Sequence, residues 1–250
     1  MIRIVSALLV CMSLYSPALG QELGALAKHA PDSSSEKAGP EKIWSTLMQG
    51  NRRFMSGKLR AHEIPRERKQ LLNGQHPQVV VLTCSDSRVP PELIFDAGLG
   101  NLFVVRSAGN VADAIGLGSI EYAVEHLGSS VLVVLGHEKC GAVTAACAGK
   151  PAESPNLQTV IDKIEPAVRE ASTNSSVNGL VDAAILENVH QSAKDLLVNS
   201  TVLRRALKEN KLTIFEALYH LETGEVSRLG RLSLASPSYK LDIGDVIRLD

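Results

Sequence analysis

The run Val79-Val80-Val81-Leu82-Thr83 leaves this chain few ways to fold. It is short, β-branched and apolar at consecutive positions, so no face of it can lie against water. A strand of that kind belongs inside a parallel sheet covered on both sides. It stops abruptly at Cys84-Ser85-Asp86-Ser87-Arg88, and the same layout returns where Val131 to Leu135 and Gly136 run into His137-Glu138-Lys139-Cys140. Open α/β sheets gather ligands beyond the carboxyl ends of their strands, which places these two polar endings where chemistry is expected. Leu102 to Arg106 supplies a third apolar strand, and Gly118 to Leu127 carries Ile120, Ala123, Val124 and Leu127 at helical spacing. Strands alternating with helices imply right-handed βαβ units, hence an α/β fold with a central, mainly parallel sheet flanked by helices.

The flanking segments follow from periodicity and breakers. Arg3 and the apolar stretch Ile4 to Leu14, followed by small residues at Ala18 and Gly20, read as a signal peptide over residues 1–20, cleaved before Gln21. The apolar stretch is well short of the ~20 residues that a membrane span needs, so no span is expected after cleavage, and the mature protein is expected to be periplasmic or secreted. Residues 21–40 form a polar leader rich in Ser, Ala and Lys, expected to be flexible. Residues 41–250 are expected to make one domain. It begins with an N-terminal helical arm bearing Ile43, Trp44, Leu47 and Met48, which covers the core or embraces a partner subunit. A second short helix is expected from Arg66 to Leu72, and others near Pro90 to Phe95, Ala142 to Ala148, Leu157 to Val168 and Ala183 to Leu197. Ile214 to Leu221, a turn at Glu222 to Glu225, and Val226 to Leu229 read as a C-terminal β-hairpin, with short strands at Tyr239 to Leu241 and Val246 to Leu249. With 250 residues, 44% of them hydrophobic, one ample core is available; a net charge of -1 with interspersed signs gives no basis for binding nucleic acid.

Two thiolates and an imidazole can converge from the two polar strand ends. Zinc takes sulfur and nitrogen donors in a tetrahedron, and three protein ligands leave a fourth place for water. His137 and Cys140, three residues apart, can share one face of a turn, and Cys84 would come from the neighbouring strand. Spacing alone leaves two alternatives open, a pair of buried cysteines and a Cys84 to Cys140 disulfide. The cysteines remaining after signal removal, Cys84, Cys140 and Cys147, are odd in number and suggest no disulfide framework. Cys147 reads as buried packing, and His29, His62, His76, His126, His190 and His220 read as ordinary surface or core residues. Asp86 and Arg88 alternate along an extended segment, so their side chains can meet as a carboxylate and guanidinium fork. A carboxylate held ionised in this way could accept the proton of a metal-activated hydroxide.

Taken together, Cys84-Ser85-Asp86-Ser87-Arg88-Val89-Pro90, Phe103-Val104-Val105-Arg106-Ser107-Ala108-Gly109-Asn110, Glu121-Tyr122-Ala123-Val124 and Gly136-His137-Glu138-Lys139-Cys140-Gly141-Ala142 resemble the β-class carbonic anhydrases. The resemblance runs from about Trp44 to Leu229. It implies reversible hydration of carbon dioxide to bicarbonate and a proton by zinc-bound hydroxide, with one zinc per subunit on Cys84, His137 and Cys140 and a catalytic dyad of Asp86 and Arg88. It also implies a homodimer or multiple of dimers, substrate contacts from Gln75, Phe103 and Tyr122, some of them across the subunit interface, and an N-terminal helix, patterned Trp44, Leu47, Gly50, Asn51 and Phe54, that wraps the other subunit. Some members of the family close when the aspartate moves onto zinc, and these carry tryptophan three residues before the first cysteine ligand. Val81 stands there in this chain, so Asp86 is expected to ligate zinc only in a closed state and to rest on Arg88 near neutral pH. Hydrolysis of carbon disulfide or carbonyl sulfide on the same site, a zinc-stabilised module without catalysis, and a thiol redox protein are the competing readings.

Overall fold

The structure is a computed structural model that describes residues 38–174 and 179–232. The expected signal peptide, nearly all of the expected leader and the expected strands at 239–241 and 246–249 lie outside the described residues.

The strands are β1 Val79–Cys84, β2 Leu102–Ser107, β3 Val131–His137, β4 Thr213–Tyr219 and β5 Val226–Leu232; β2, at the sheet edge, is half-buried rather than enclosed. They make one sheet in the order β2-β1-β3-β4-β5, parallel except for the antiparallel β4 to β5 hairpin. Every residue of β1, β3 and β4 is buried, as continuous apolar strands require. The hairpin reaches three residues beyond the Leu229 predicted for its end, and a bulge sits between Glu216 and Ala217.

Helices α1 Pro40–Met55, α2 Ile64–Gln70, α3 Pro91–Ile94, α4 Ala114–Glu125, α5 Gly141–Cys147, α6 Pro155–Asn174, α7 Leu180–Asn199 and α8 Thr201–Lys208 surround the sheet. Val80, Leu82 and Cys84 alternate onto one face of β1, and the core on that face divides in two along the length of the strands. Val80, Leu82, Leu132, Val134 and Ile214 cluster with Ile120, Val189, Leu196 and Leu203. Cys84 and Cys140 instead belong to a cluster with Val143, Ile164, Ile185 and Leu218, so α5, α6 and α7 wall the polar strand ends. None of the described helices is long and apolar enough to cross a membrane.

The stripe on α1, expected to cover the core or embrace a partner subunit, covers the core of its own chain: Ile43, Trp44 and Leu47 are buried, and the Trp44 ring lies 5.1 Å from that of Phe215. Gly50 allows this crossing, because a Cβ there would stand 1.7 Å from the Phe95 carbonyl oxygen. The adjoining Asn51, also buried, donates to the Ile94 and Gly224 carbonyls at 3.2 and 2.8 Å and accepts from the Val226 N–H at 3.0 Å. Helix α8 was not read from the sequence, since it follows α7 with a break of one residue. Ser200 turns extended there and its hydroxyl accepts the Leu203 N–H at 3.0 Å, a helix cap whose signal is present in the sequence.

Candidate metal centre

Strands β1 and β3 are adjacent and parallel, so their carboxyl ends deliver Cys84 and His137 side by side, and the turn after β3 returns Cys140 to the same point. The donor atoms of Cys84, His137 and Cys140 all lie within 4.8 Å of one another. All three side chains are buried and all three cysteines of the described chain are free thiols, so the thiol redox reading loses its disulfide. Cys147 is half-buried beside the same cluster rather than fully packed away. Gly136, just before His137, lets α7 approach the strand end closely: a Cβ there would meet Val189 at 2.4 Å.

The site is wired before any metal arrives. His137 Nδ1 lies 2.8 Å from the Glu138 carbonyl oxygen, which can only accept, so that nitrogen carries the proton. The lone pair is then on Nε2, a fully buried atom with no hydrogen-bond partner. An orphaned imidazole nitrogen facing two thiols is costly in a folded protein unless something else satisfies it, and a soft divalent cation does so. Cys84 Sγ accepts the Asp86 and Gly109 N–H groups at 3.4 and 3.3 Å. Hydrogen bonding from Cys140, with help from those two N–H groups, lowers the Cys84 thiol in spite of its burial. The same hydrogen bond and its own burial push Cys140 up. The donor set, two sulfurs and one imidazole nitrogen, fits zinc.

Asp86 stands at the mouth of this cluster, its Oδ2 3.9 Å from His137 Nε2. Arg88 grips it bidentately, Nε to Oδ1 at 2.9 Å and Nη2 to Oδ2 at 2.7 Å, while the Arg88 N–H adds a third bond to Oδ1 at 2.9 Å. The guanidinium hydrogen bonds hold the Asp86 carboxyl well below the usual carboxylate range. Arg88 also reaches the Lys139 carbonyl at 3.3 Å, tying the dyad to the loop that carries Cys140. A residue not singled out in the sequence completes the frame: Arg106 donates to the Cys84 carbonyl at 3.1 Å and to the Asp86 carbonyl at 2.7 Å. Its signal was a lone cation ending an apolar strand.

The expected substrate residues do not join this cluster within one subunit. Phe103 pairs with Val80 whereas Cys84 pairs with Ser107, a separation of four residues or about 13 Å along the strand. Tyr122 packs near Phe103, with ring centroids 6.5 Å apart, and is 49% exposed. Gln75 is exposed before the opposite end of β1. Phe103 on the edge strand β2, Tyr122 on α4 and Gln75 before β1 thus lie away from Cys84, His137 and Cys140 within one chain.

A parallel α/β domain with three buried soft donors and an arginine-held carboxylate at its strand ends defines a class of zinc-site proteins, and comparison with known proteins narrows it. The pattern of the carbonic anhydrase family matches residues 79–226. A carbonic anhydrase of Mycolicibacterium smegmatis is 35% identical over 216 residues, covering 84% of this chain and 98% of that one. Carbonic anhydrase 2 of Mycobacterium tuberculosis is 37% identical over 189 residues, covering 74% of this chain and 90% of that one. Among solved structures, a tetrameric β-carbonic anhydrase from Sordaria macrospora superposes with a TM-score of 0.61 at 26% identity, covering 77% of this chain and all of that one. The chain belongs to the β-class carbonic anhydrases.

Proposed function

We propose that this protein hydrates carbon dioxide reversibly to bicarbonate and a proton, with zinc held by Cys84, His137 and Cys140 and with Asp86 kept on Arg88 near neutral pH. The observation that carries the reading is the orphaned Nε2 of His137, converging with two cysteine sulfurs beside an ionised, doubly anchored Asp86. Zinc in such a site supplies a Lewis acid that makes water nucleophilic at neutral pH. The side chains of this chain do the rest. Burial of both cysteines and of His137 keeps solvent from competing for the donors. Arg88 fixes the Asp86 carboxylate in one rotamer and keeps it ionised, so Asp86 acts as a hydrogen-bond acceptor that orients the proton of the attacking oxygen and leaves a lone pair for carbon dioxide. Val81, fully buried on β1, replaces the tryptophan associated with closure by aspartate, which supports the open arrangement.

The assembly implied is a homodimer or multiple of dimers. Support comes from the edge position of β2 among the described strands and from the exposed Tyr122 beside the half-buried Phe103, since a sheet edge invites a second chain. Export to the periplasm or beyond is supported by the arrangement of residues 1–20, and amino-terminal sequencing of the mature protein should begin at Gln21. The test of the activity is stopped-flow hydration of carbon dioxide by purified protein assayed for bound metal. Activity should track zinc up to one per chain, vanish on chelation and return on reloading. A fully loaded protein inert toward carbon dioxide would refute the proposal, and turnover of carbon disulfide or carbonyl sulfide by that protein would install the hydrolase reading instead.

A further inference from the structure

We infer that His220 is a positioning residue for the zinc ligand His137, acting through Glu138; the inference rests on the reading of Cys84, His137 and Cys140 as the metal ligands. The peptide between Glu138 and Lys139 has two tasks. Its carbonyl accepts the Nδ1–H of His137 at 2.8 Å and so aims Nε2 at the thiols. The backbone then turns through Lys139, whose φ of 52° lies in the left-handed region that a lysine seldom occupies, to bring Cys140 back. Such a conformation persists only where its surroundings hold it.

The β4 to β5 hairpin provides that hold. Glu138 Oε1 lies 2.8 Å from His220 Nδ1, and Oε2 accepts the Leu221 N–H at 3.0 Å. The Glu138 N–H donates to the Tyr219 carbonyl at 3.1 Å. His220 is itself anchored at both ends: its Nε2 is 2.9 Å from Ser227 Oγ on β5, its N–H donates to the Glu225 carbonyl at 2.8 Å, and its carbonyl accepts the Gly224 N–H at 2.8 Å. A chain of contacts from Ser227 through His220 to Glu138 therefore clamps the loop between two ligands, a loop that Arg88 also holds through the Lys139 carbonyl. Outer groups that orient a ligating histidine typically change metal affinity by ~10–100-fold when removed.

The test measures zinc affinity by chelator competition, alongside the melting temperature of the metal-free protein. His220→Ala should weaken zinc binding about 10–100-fold, and His220→Gln, which keeps a donor for Glu138, should recover most of it. Glu138→Ala cuts the same tether from the other end, and the double variant should bind zinc no more weakly than the worse single one. Unchanged zinc affinity in a folded His220→Ala or Glu138→Ala protein would overturn the inference, as would a fall in metal-free melting temperature with affinity intact. His137→Ala separates the two readings: if it loses zinc while His220→Ala does not, the ligand assignment stands and the clamp fails; if it keeps zinc, the ligand assignment itself fails.

Discussion

Asp86 illustrates how much one side chain owes to another. Its carboxylate stays ionised because Arg88 donates to both oxygens, and since its folded pKa is lowered, the pair's contribution is present above the ordinary carboxylate range and is lost only as pH falls through and below it. Titration of Asp86 should therefore leave no inflection in the activity profile near neutral pH. Arg88→Ala should keep zinc but reduce carbon dioxide hydration on the order of a hundredfold, by the usual worth of a positioned proton-handling group; a normal stopped-flow rate in the zinc-loaded variant would make the dyad a mere ion pair. Cys140→Ser should lose most of its zinc by metal analysis, because hydroxyl oxygen is a poor substitute for thiolate. The ligands and the dyad were legible in the sequence since each pair lies within a few residues on a strand end. Arg106 and His220 were not, because their partners are 22 and 82 positions away and only the folded sheet brings them together.

At the scale of elements, the apolar strands announced themselves by composition alone, whereas the destination of α1 did not. An amphipathic stripe is the same whether it covers its own core or a neighbour; the contacts of Asn51 with α3 and with the hairpin anchor α1 on the core of its own chain. Removing those contacts strands three buried backbone groups, each worth about 1–3 kcal/mol when left unpaired. Asn51→Ala should therefore lower unfolding stability by at least ~2 kcal/mol in a denaturant titration, and a change within error would deny the anchoring role. Between α7 and β4, the His190 ring lies 2.8 Å from the buried Glu216 carboxylate, whose hydrogen bond raises the histidine pKa. A raised folded pKa stabilises fully below the unfolded value of about 6.5 and is lost as pH rises through the folded value. The melting-temperature gap between the parent protein and His190→Gln should accordingly be widest near pH 6 and narrow toward alkaline pH; a gap that widens with pH would contradict the pairing.

The whole molecule brings metal ligands to one end of its sheet and leaves Gln75, Phe103 and Tyr122 toward the other, so a single chain carries two separate parts of the proposed reaction site. Sequence motifs name both parts without saying whether one site draws on two chains, because spacing along a chain carries no information about contacts between copies. Tyr122→Arg, on the exposed face, should yield a smaller species by sedimentation and slower hydration at unchanged zinc content. An unaltered assembly would remove that face from the interface. What sits beside the metal when the enzyme is ready for substrate distinguishes the open arrangement from the closed one. The most direct measurement is a crystal structure of the zinc-loaded protein near pH 7: zinc on Cys84, His137 and Cys140 with solvent next to it and Asp86 still held by Arg88 is the predicted result, and Asp86 on the metal, or zinc bound elsewhere, would contradict it.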